Sequence, residues 1–357
     1  MKNEMTSKER VKRAISGNAP DRVPLSDSYW QTTVDRWNRE GLPPSVSPSV
    51  YFGTDEILYL SGDYTMRFPE RVLDQDRQYR TYWDADGALR KDLHTPDGWT
   101  SQWLDFTIKT RADWEKHRHR LQYDESRLLS STVAAYEKGQ SAGKFICFTA
   151  HACFHPTWMR IGMENELVKM LDDPDLINEL FSAHVDLVID IFLGLESRGI
   201  EFDGVRLADD LAYRTSSLVS PETYRQAILP HHGRLCAHFK ERGLPVILHS
   251  DGHIVPLFGL FLQAGFDGFH PLEVKAGMDI RTLRAEYGDG FLAFGNIDAR
   301  ALAGTREEIE AEITSTLSVA METGRYIFHS DHSVPQNVSF DNYQYAMELV
   351  KKVGRYR

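Results

Sequence analysis

The chain has 357 residues, 41% apolar and 26% charged, enough for two ordinary domains or one large α/β barrel, and no low-complexity tract argues for disorder. Its net charge of −11, carried with scattered basic residues, argues against nucleic acid as a partner; no apolar run reaches the about 18 residues of a membrane span, and the charged segment Met1 to Ser16 lacks a signal peptide's apolar stretch, so a cytoplasmic protein without a membrane partner is expected. Cys147, Cys153 and Cys236 show no CxxC spacing, which excludes a disulfide framework and a four-thiolate zinc site.

Ser7-Lys-Glu-Arg-Val-Lys-Arg-Ala-Ile15 reads as a short amphipathic helix capped by Ser7 and stopped at Pro20-Asp-Arg-Val-Pro24. From about 67 to 110 the pattern changes to short alternating runs around the turn Asp84-Ala-Asp-Gly87, a β-hairpin or meander inserted in a larger domain. From about Lys144 onward, apolar strands alternate with helices. The strands are Phe145 to Thr149, Phe202 to Leu207, Pro245 to His249, Asp267 to His270, Phe291 to Gly295 and Tyr326 to His329, and Val23-Pro-Leu-Ser26 supplies an earlier one. Helices are expected near Glu164 to Leu171, after Ser220-Pro221, and at Ile254 to Ala264. Short buried strands alternating with helices predict a parallel sheet, and the fold expected is one (β/α)8 TIM barrel over 1–357.

In such a barrel chemistry belongs to the C-terminal ends of the strands. Six consecutive predicted ends carry titratable groups: His151, Cys153 and His155; Asp209 and Asp210; His249, Asp251 and His253; His270 and Glu273; Asn296 and Asp298; His329, Asp331 and His332. Helix capping explains about half of the carboxylates, but not the histidines. His249-Ser-Asp251 and His329-Ser-Asp331 repeat one pattern, and residues i and i+2 of a strand share a face, so each His and Asp can converge on a divalent metal. The competing reading is a structural His–Asp hydrogen bond at each end. Glu273, His253 and Asp210 are further ligands or their supports. His151-Ala-Cys153-Phe-His155 is read as packing. Trp30 and Tyr213 are candidates to line a substrate pocket, and Arg206 and Arg214 either bind a substrate carboxylate or neutralise Asp209-Asp210.

Ser7-Lys-Glu-Arg-Val with Pro20-Asp-Arg-Val-Pro24, Gly295-Asn-Ile-Asp298 and Gly324-Arg-Tyr-Ile-Phe-His-Ser-Asp-His-Ser-Val-Pro335 resemble the uroporphyrinogen decarboxylase superfamily over nearly the whole chain outside the hairpin region. The resemblance implies a barrel, usually a homodimer, with His332 at the decarboxylase histidine. The family's Arg-Gln-Ala-Gly-Arg signature is absent, and Ser26-Asp-Ser-Tyr-Trp30 stands there instead, so true uroporphyrinogen decarboxylase activity is not expected. In the superfamily's corrinoid methyltransferases a His-x-Cys pair and a distant Cys hold zinc. Here His249 matches the His, Asp251 stands at the first Cys and Asp331 falls near the second.

The leading expectation is a corrinoid-linked methyltransferase acting on a small molecule. In it His249, Asp251 and Asp331 hold a divalent metal, zinc first, and the corrinoid (cobalamin) rides on a partner protein. His332, His329 and Asp210 are the catalytic candidates, with His332 at an ordinary imidazole pKa of about 6.5. Trp30, Arg206, Tyr213, Glu273 and His253 contact substrate. The alternatives are a metal-independent decarboxylase or lyase acting on a carboxylated substrate, with Asp210 and His332 as acid and base, and a non-catalytic tetrapyrrole- or corrinoid-binding barrel.

Overall fold

Apolar runs too short for helices lie side by side in the computed structural model of the chain, which describes residues 4–95 and 98–356. In chain order the strands are β1 (Ile57–Leu60), β2 (Arg71–Gln75), β3 (Tyr79–Trp83), β4 (Ala88–Thr95), β5 (Gly98–Phe106), β6 (Phe145–His151), β7 (Gly204–Ala208), β8 (Ala212–Tyr213), β9 (Ser216–Ser217), β10 (Val246–His249), β11 (Gly268–His270), β12 (Leu292–Ile297) and β13 (Tyr326–Ser330). Seven pair in parallel in the order β1-β6-β7-β10-β11-β12-β13. Residues 23–26 touch both edges of this sheet. Phe328 N donates to Pro24 O (2.9 Å) and Ser26 N to Phe328 O (3.0 Å), while Asp55, just before β1, accepts Leu25 N at its Oδ2 (2.8 Å). Asp55 is itself clamped by Arg10 (2.5 Å) and Arg22 (2.7 Å). The result is an α/β fold with a curled parallel sheet surrounded by helices.

Alternation along each strand sorts side chains between the enclosed and the outer face. Phe145, Cys147, Ile247, Leu292, Phe294 and Ile327 form a small apolar cluster inside the curl, with Ile57 and Tyr59 against it. Two residues beyond Ile247 and Ile327 the same face presents His249 and His329, so the interior turns from apolar to polar toward the strands' C-terminal ends. The outer faces pack on helices and make the main core.

Local chemistry explains the helices. Thr6, not Ser7, caps Ser7–Ile15, in a capping box with Glu9. Asp173 caps the 24-residue helix Pro174–Ser197, whose Pro174 sits where a missing N–H costs nothing; this longest helix carries no signal that the strand-end pattern anticipates. The helix expected after Ser220-Pro221 runs in three parts, Pro221–Thr223, a wide π turn Tyr224–Ile228 and Leu229–Lys240, with Pro230 removing a backbone donor at the junction. Strands β2 to β5 form a separate four-stranded antiparallel sheet packed on helix Phe154–Ile161. No helix among the described residues is long and apolar enough to cross a membrane.

Candidate functional site

A cavity of about 360 Å3 opens at the C-terminal ends of the parallel strands, lined among others by Asp27, Tyr59, Arg206, His249, Asp251, His270, His329 and His332. Larger hollows lie elsewhere. One, at the opposite end near Lys12 and Pro245, is lined by cations that already have carboxylate or carbonyl partners. Another separates the antiparallel sheet from helix Met163–Asp172. Of these hollows, among the described residues, the strand-end cavity is the one that gathers histidines and carboxylates from several strands, which is where chemistry is expected in a curled parallel sheet.

Three histidines form its wall. His249 Nδ1 lies 2.7 Å from His270 Nδ1, and the His270 ring is 4.7 Å from that of His329. Burial, with Arg206 nearby, lowers the His249 pKa to about 3, and burial beside His329 and His249 holds His270 well below the usual range. Both are therefore neutral at pH 7, the form that binds metals or shares a proton. His329 is fixed by Ser330 O (2.5 Å) and Ser28 Oγ (3.2 Å).

The carboxylates sit at the rim. Asp210, His249 and Asp251 each bring a ligand atom within 4.8 Å of the others, and Asp251, Glu273 and His332 form a second such group. Burial and the neighbouring Asp210 and Glu273 carboxylates push the Asp251 pKa up to about 7. Its Oδ1 is buried without a hydrogen-bond partner, and its Oδ2 is 3.9 Å from His332 Nε2. Burial opposes ionisation of Asp210, but the imidazole of His155, its Nδ1 3.0 Å from Asp210 Oδ2, wins and holds that pKa down to about 2.

The donor set fits a divalent cation: a neutral imidazole, one ionised carboxylate, and a crowded carboxylate with an orphaned oxygen that a cation would satisfy. The second group fits less well. Glu273 is committed to Gly252 N (2.8 Å) and Lys275 (2.8 Å). A third group, Cys153, Asp209 and His232, is wholly buried, and its carboxylate is occupied by Phe154 N (3.1 Å), His155 N (2.6 Å) and His232 Nε2 (2.8 Å). Asp209 is thus a helix cap.

The sequence candidates separate in space. His249, Asp251 and Asp210 come together, and His332 faces Asp251 beneath Trp30, whose ring stacks on it at 5.7 Å and 24°. Burial and Lys275 lower the His332 pKa, so it is not the ordinary imidazole expected. Asp331 lies apart from the Asp210, His249 and Asp251 group: it is 2% exposed, and its two oxygens accept Val274 N and Ala299 N, both at 3.1 Å. Arg206 points into the cavity over the Tyr59 ring, with its guanidinium carbon 5.0 Å from the ring centre. His253 is tied to Ala276 O (2.7 Å), and Tyr213 is 54% exposed; neither lines the cavity.

Sequence reasoning passed over His155, which pairs with Asp210 and stacks on Trp158 at 4.8 Å. It also gave no role to Tyr59 or Asp27. The alternation Ile57-Leu-Tyr59 is the one signal that could have placed Tyr59 inside the curl. Gly295 and Asn296 brace the loop that carries Glu273. A Cβ at Gly295 (φ 131°) would lie 1.9 Å from Pro271 O, and Asn296 Nδ2 donates to Leu272 O at 2.9 Å.

The family model described as uroporphyrinogen decarboxylase (URO-D) matches residues 154–353, and the chain belongs to that family. Similar proteins include a uroporphyrinogen decarboxylase from Pelobacter propionicus, 26% identical over 139 residues and covering 39% of each chain. A methylated-thiol–coenzyme M methyltransferase from Methanosarcina mazei is 35% identical over 108 residues, covering 30% of this chain and 28% of that protein. The chain therefore spans about two-fifths or less of the length of these relatives. A solved methyltransferase structure from Methanosarcina mazei has the same fold, with a TM-score of 0.66 over 98% of this chain and 99% of that one at 14% identity.

Proposed function

We propose that the protein is a metal-dependent methyltransferase of this family, a (β/α)8 barrel with residues 23–26 as its eighth strand, which passes a methyl group from a small donor to a corrinoid on a partner protein. The observation that carries this reading is the convergence of His249, Asp251 and Asp210 at the cavity rim; the local similarity to a methyltransferase supports it. These three residues would hold a divalent cation, which would supply Lewis acidity toward the heteroatom that gives up its methyl group. His155 keeps Asp210 ionised, and His270 holds the His249 ring through Nδ1. His332, stacked under Trp30 and facing Asp251, is placed to deliver a proton to the demethylated heteroatom as it leaves.

A tetrapyrrole decarboxylase is the weaker reading. The cavity of about 360 Å3 is small for a ring bearing eight carboxyl groups, and no arginine occupies residues 26–30.

Elemental analysis of protein purified without chelator should show close to one transition metal per chain, and His249→Ala should lose it. With reduced cobalamin and a panel of O-, N- and S-methyl compounds, the loaded protein should form methylcobalamin. A protein that takes up no Zn²⁺, Mn²⁺ or Fe²⁺, or one that converts uroporphyrinogen anaerobically, would overturn the proposal.

A further inference from the structure

The cavity has two poles. Asp210, Asp251 and Glu273 crowd the rim, whereas the inner wall carries a single permanent cation, Arg206. Arg206 projects from the middle of β7, beside Thr149 of β6 and Ile247 of β10 in register, where an inward side chain in a packed barrel would ordinarily be apolar. Its guanidinium rests against the Tyr59 ring, its Nε is buried without a hydrogen-bond partner, and among the described residues no carboxylate forms an ion pair with it.

The nearby acids are otherwise engaged. Asp27 accepts Ser330 Oγ and Tyr343 Oη, each at 2.8 Å. Asp251 belongs to the rim group. Half-burying an arginine, with its Nε shut away from solvent, without an anion is costly, because it cannot shed its proton. The chain tolerates this at an inward position that opens onto the cavity. A guanidinium with one face against an aromatic ring presents its N–H edge, which matches the planar fork of a carboxylate. One fixed positive charge under an acidic rim balances a monoanion and disfavours a dianion such as phosphate.

We infer that Arg206 seats the carboxylate of a small monoanionic substrate, so that the substrate lies with its charged end inward and its reacting end toward His249, Asp251 and Asp210. Arg206 is then the residue that selects carboxylates over neutral molecules of the same shape. The inference borrows from the methyl-transfer reading only the identity of the reacting end.

The test is calorimetric titration of the full chain, at known metal content, with three probes: methoxyacetate, its uncharged analogue 2-methoxyethanol, and ethanesulfonate. Wild type should bind methoxyacetate at least about tenfold tighter than 2-methoxyethanol, a difference of about 1.4 kcal/mol, and tighter than ethanesulfonate. Arg206→Gln should lose that preference while keeping its metal and its circular dichroism, and Arg206→Lys should retain part of it. Absence of carboxylate-preferring binding in wild type overturns the inference, as does a preference that survives in Arg206→Gln. Tighter binding of ethanesulfonate overturns the carboxylate assignment. If Arg206→Gln does not fold, the wild-type probe comparison and Arg206→Lys still decide. A protein that takes up no divalent metal yet shows the carboxylate preference breaks the methyl-transfer reading and leaves this one standing.

Discussion

The tripeptide His-Ser-Asp closes two strands of the same sheet, at 249–251 and 329–331, and the two copies have different fates. The histidines behave alike: both extend the inward face of their strands and wall the cavity. The aspartates do not. Asp251 is held at the rim with a buried, unpartnered oxygen, whereas Asp331 turns into protein and bonds two backbone amides from other loops. A residue within a strand has its direction set by alternation, which is a property of sequence. A residue just past the strand takes its direction from the partners that neighbouring loops offer, and those come from β11 and β12 connections far along the chain.

Breaking the two aspartates separately is the sharpest way to probe this difference. Asp251→Ala should lose the metal and lower methyl transfer by on the order of 10³-fold, since a ligand is removed, yet with both proteins metal-free its denaturation midpoint should match or exceed that of wild type as crowding with Asp210 and Glu273 is relieved. Equal loss of stability in this variant would erase the contrast. Asp331→Ala should do the reverse. Stranding two buried amides costs about 2–4 kcal/mol in urea unfolding, while metal per folded chain is retained. Metal loss in folded Asp331→Ala would return Asp331 to the ligand set.

The smallest effect concerns the background against which both variants are measured. Burial holds His184 well below its ordinary pKa and His231 down to about 4. The unfolded chain then binds more protons than the folded one between pH about 6.5 and 4, so stability falls as pH drops through 6.5. His231 alone removes about 1 kcal/mol at pH 5.5 relative to pH 7.5. His231→Gln should narrow the gap between urea midpoints at those two pH values, and an unchanged gap would place the acid sensitivity elsewhere. The aspartate comparison is therefore cleanest at pH 7.5.

These contrasts mark what was legible in the chain. Alternating apolar strands and helices, and the concentration of histidines at strand ends, can be read from residues 145–332 because burial on both faces leaves unbroken apolar runs. Strand β1 escapes such a reading: Ile57-Leu-Tyr-Leu60 has four residues, and no histidine follows it at its end. The repeated His-Ser-Asp pattern points to Asp331 as the third partner of His249 and Asp251, whereas the structure brings Asp210 to them. The adjacent pair Asp209-Asp210 gives no linear clue that one caps a helix while the other faces the cavity. His155 is obscured likewise, because its role depends on Asp210 reaching across from the next strand.

The meeting of residues 23–26 with β13 has a consequence for how the molecule comes into being. Ser28 and His329, hydrogen-bonded at the cavity, are separated by 301 positions. Among the parallel strands, β13 is the last to leave the ribosome, and until it does the segment that bridges the sheet's two edges has a neighbour on one side only, through Asp55. Synthesis at about 5–20 residues per second leaves that edge open for tens of seconds. In the folded chain Arg10 and Arg22, both bound to Asp55, tie the amino-terminal segment to the β1 edge independently of β13.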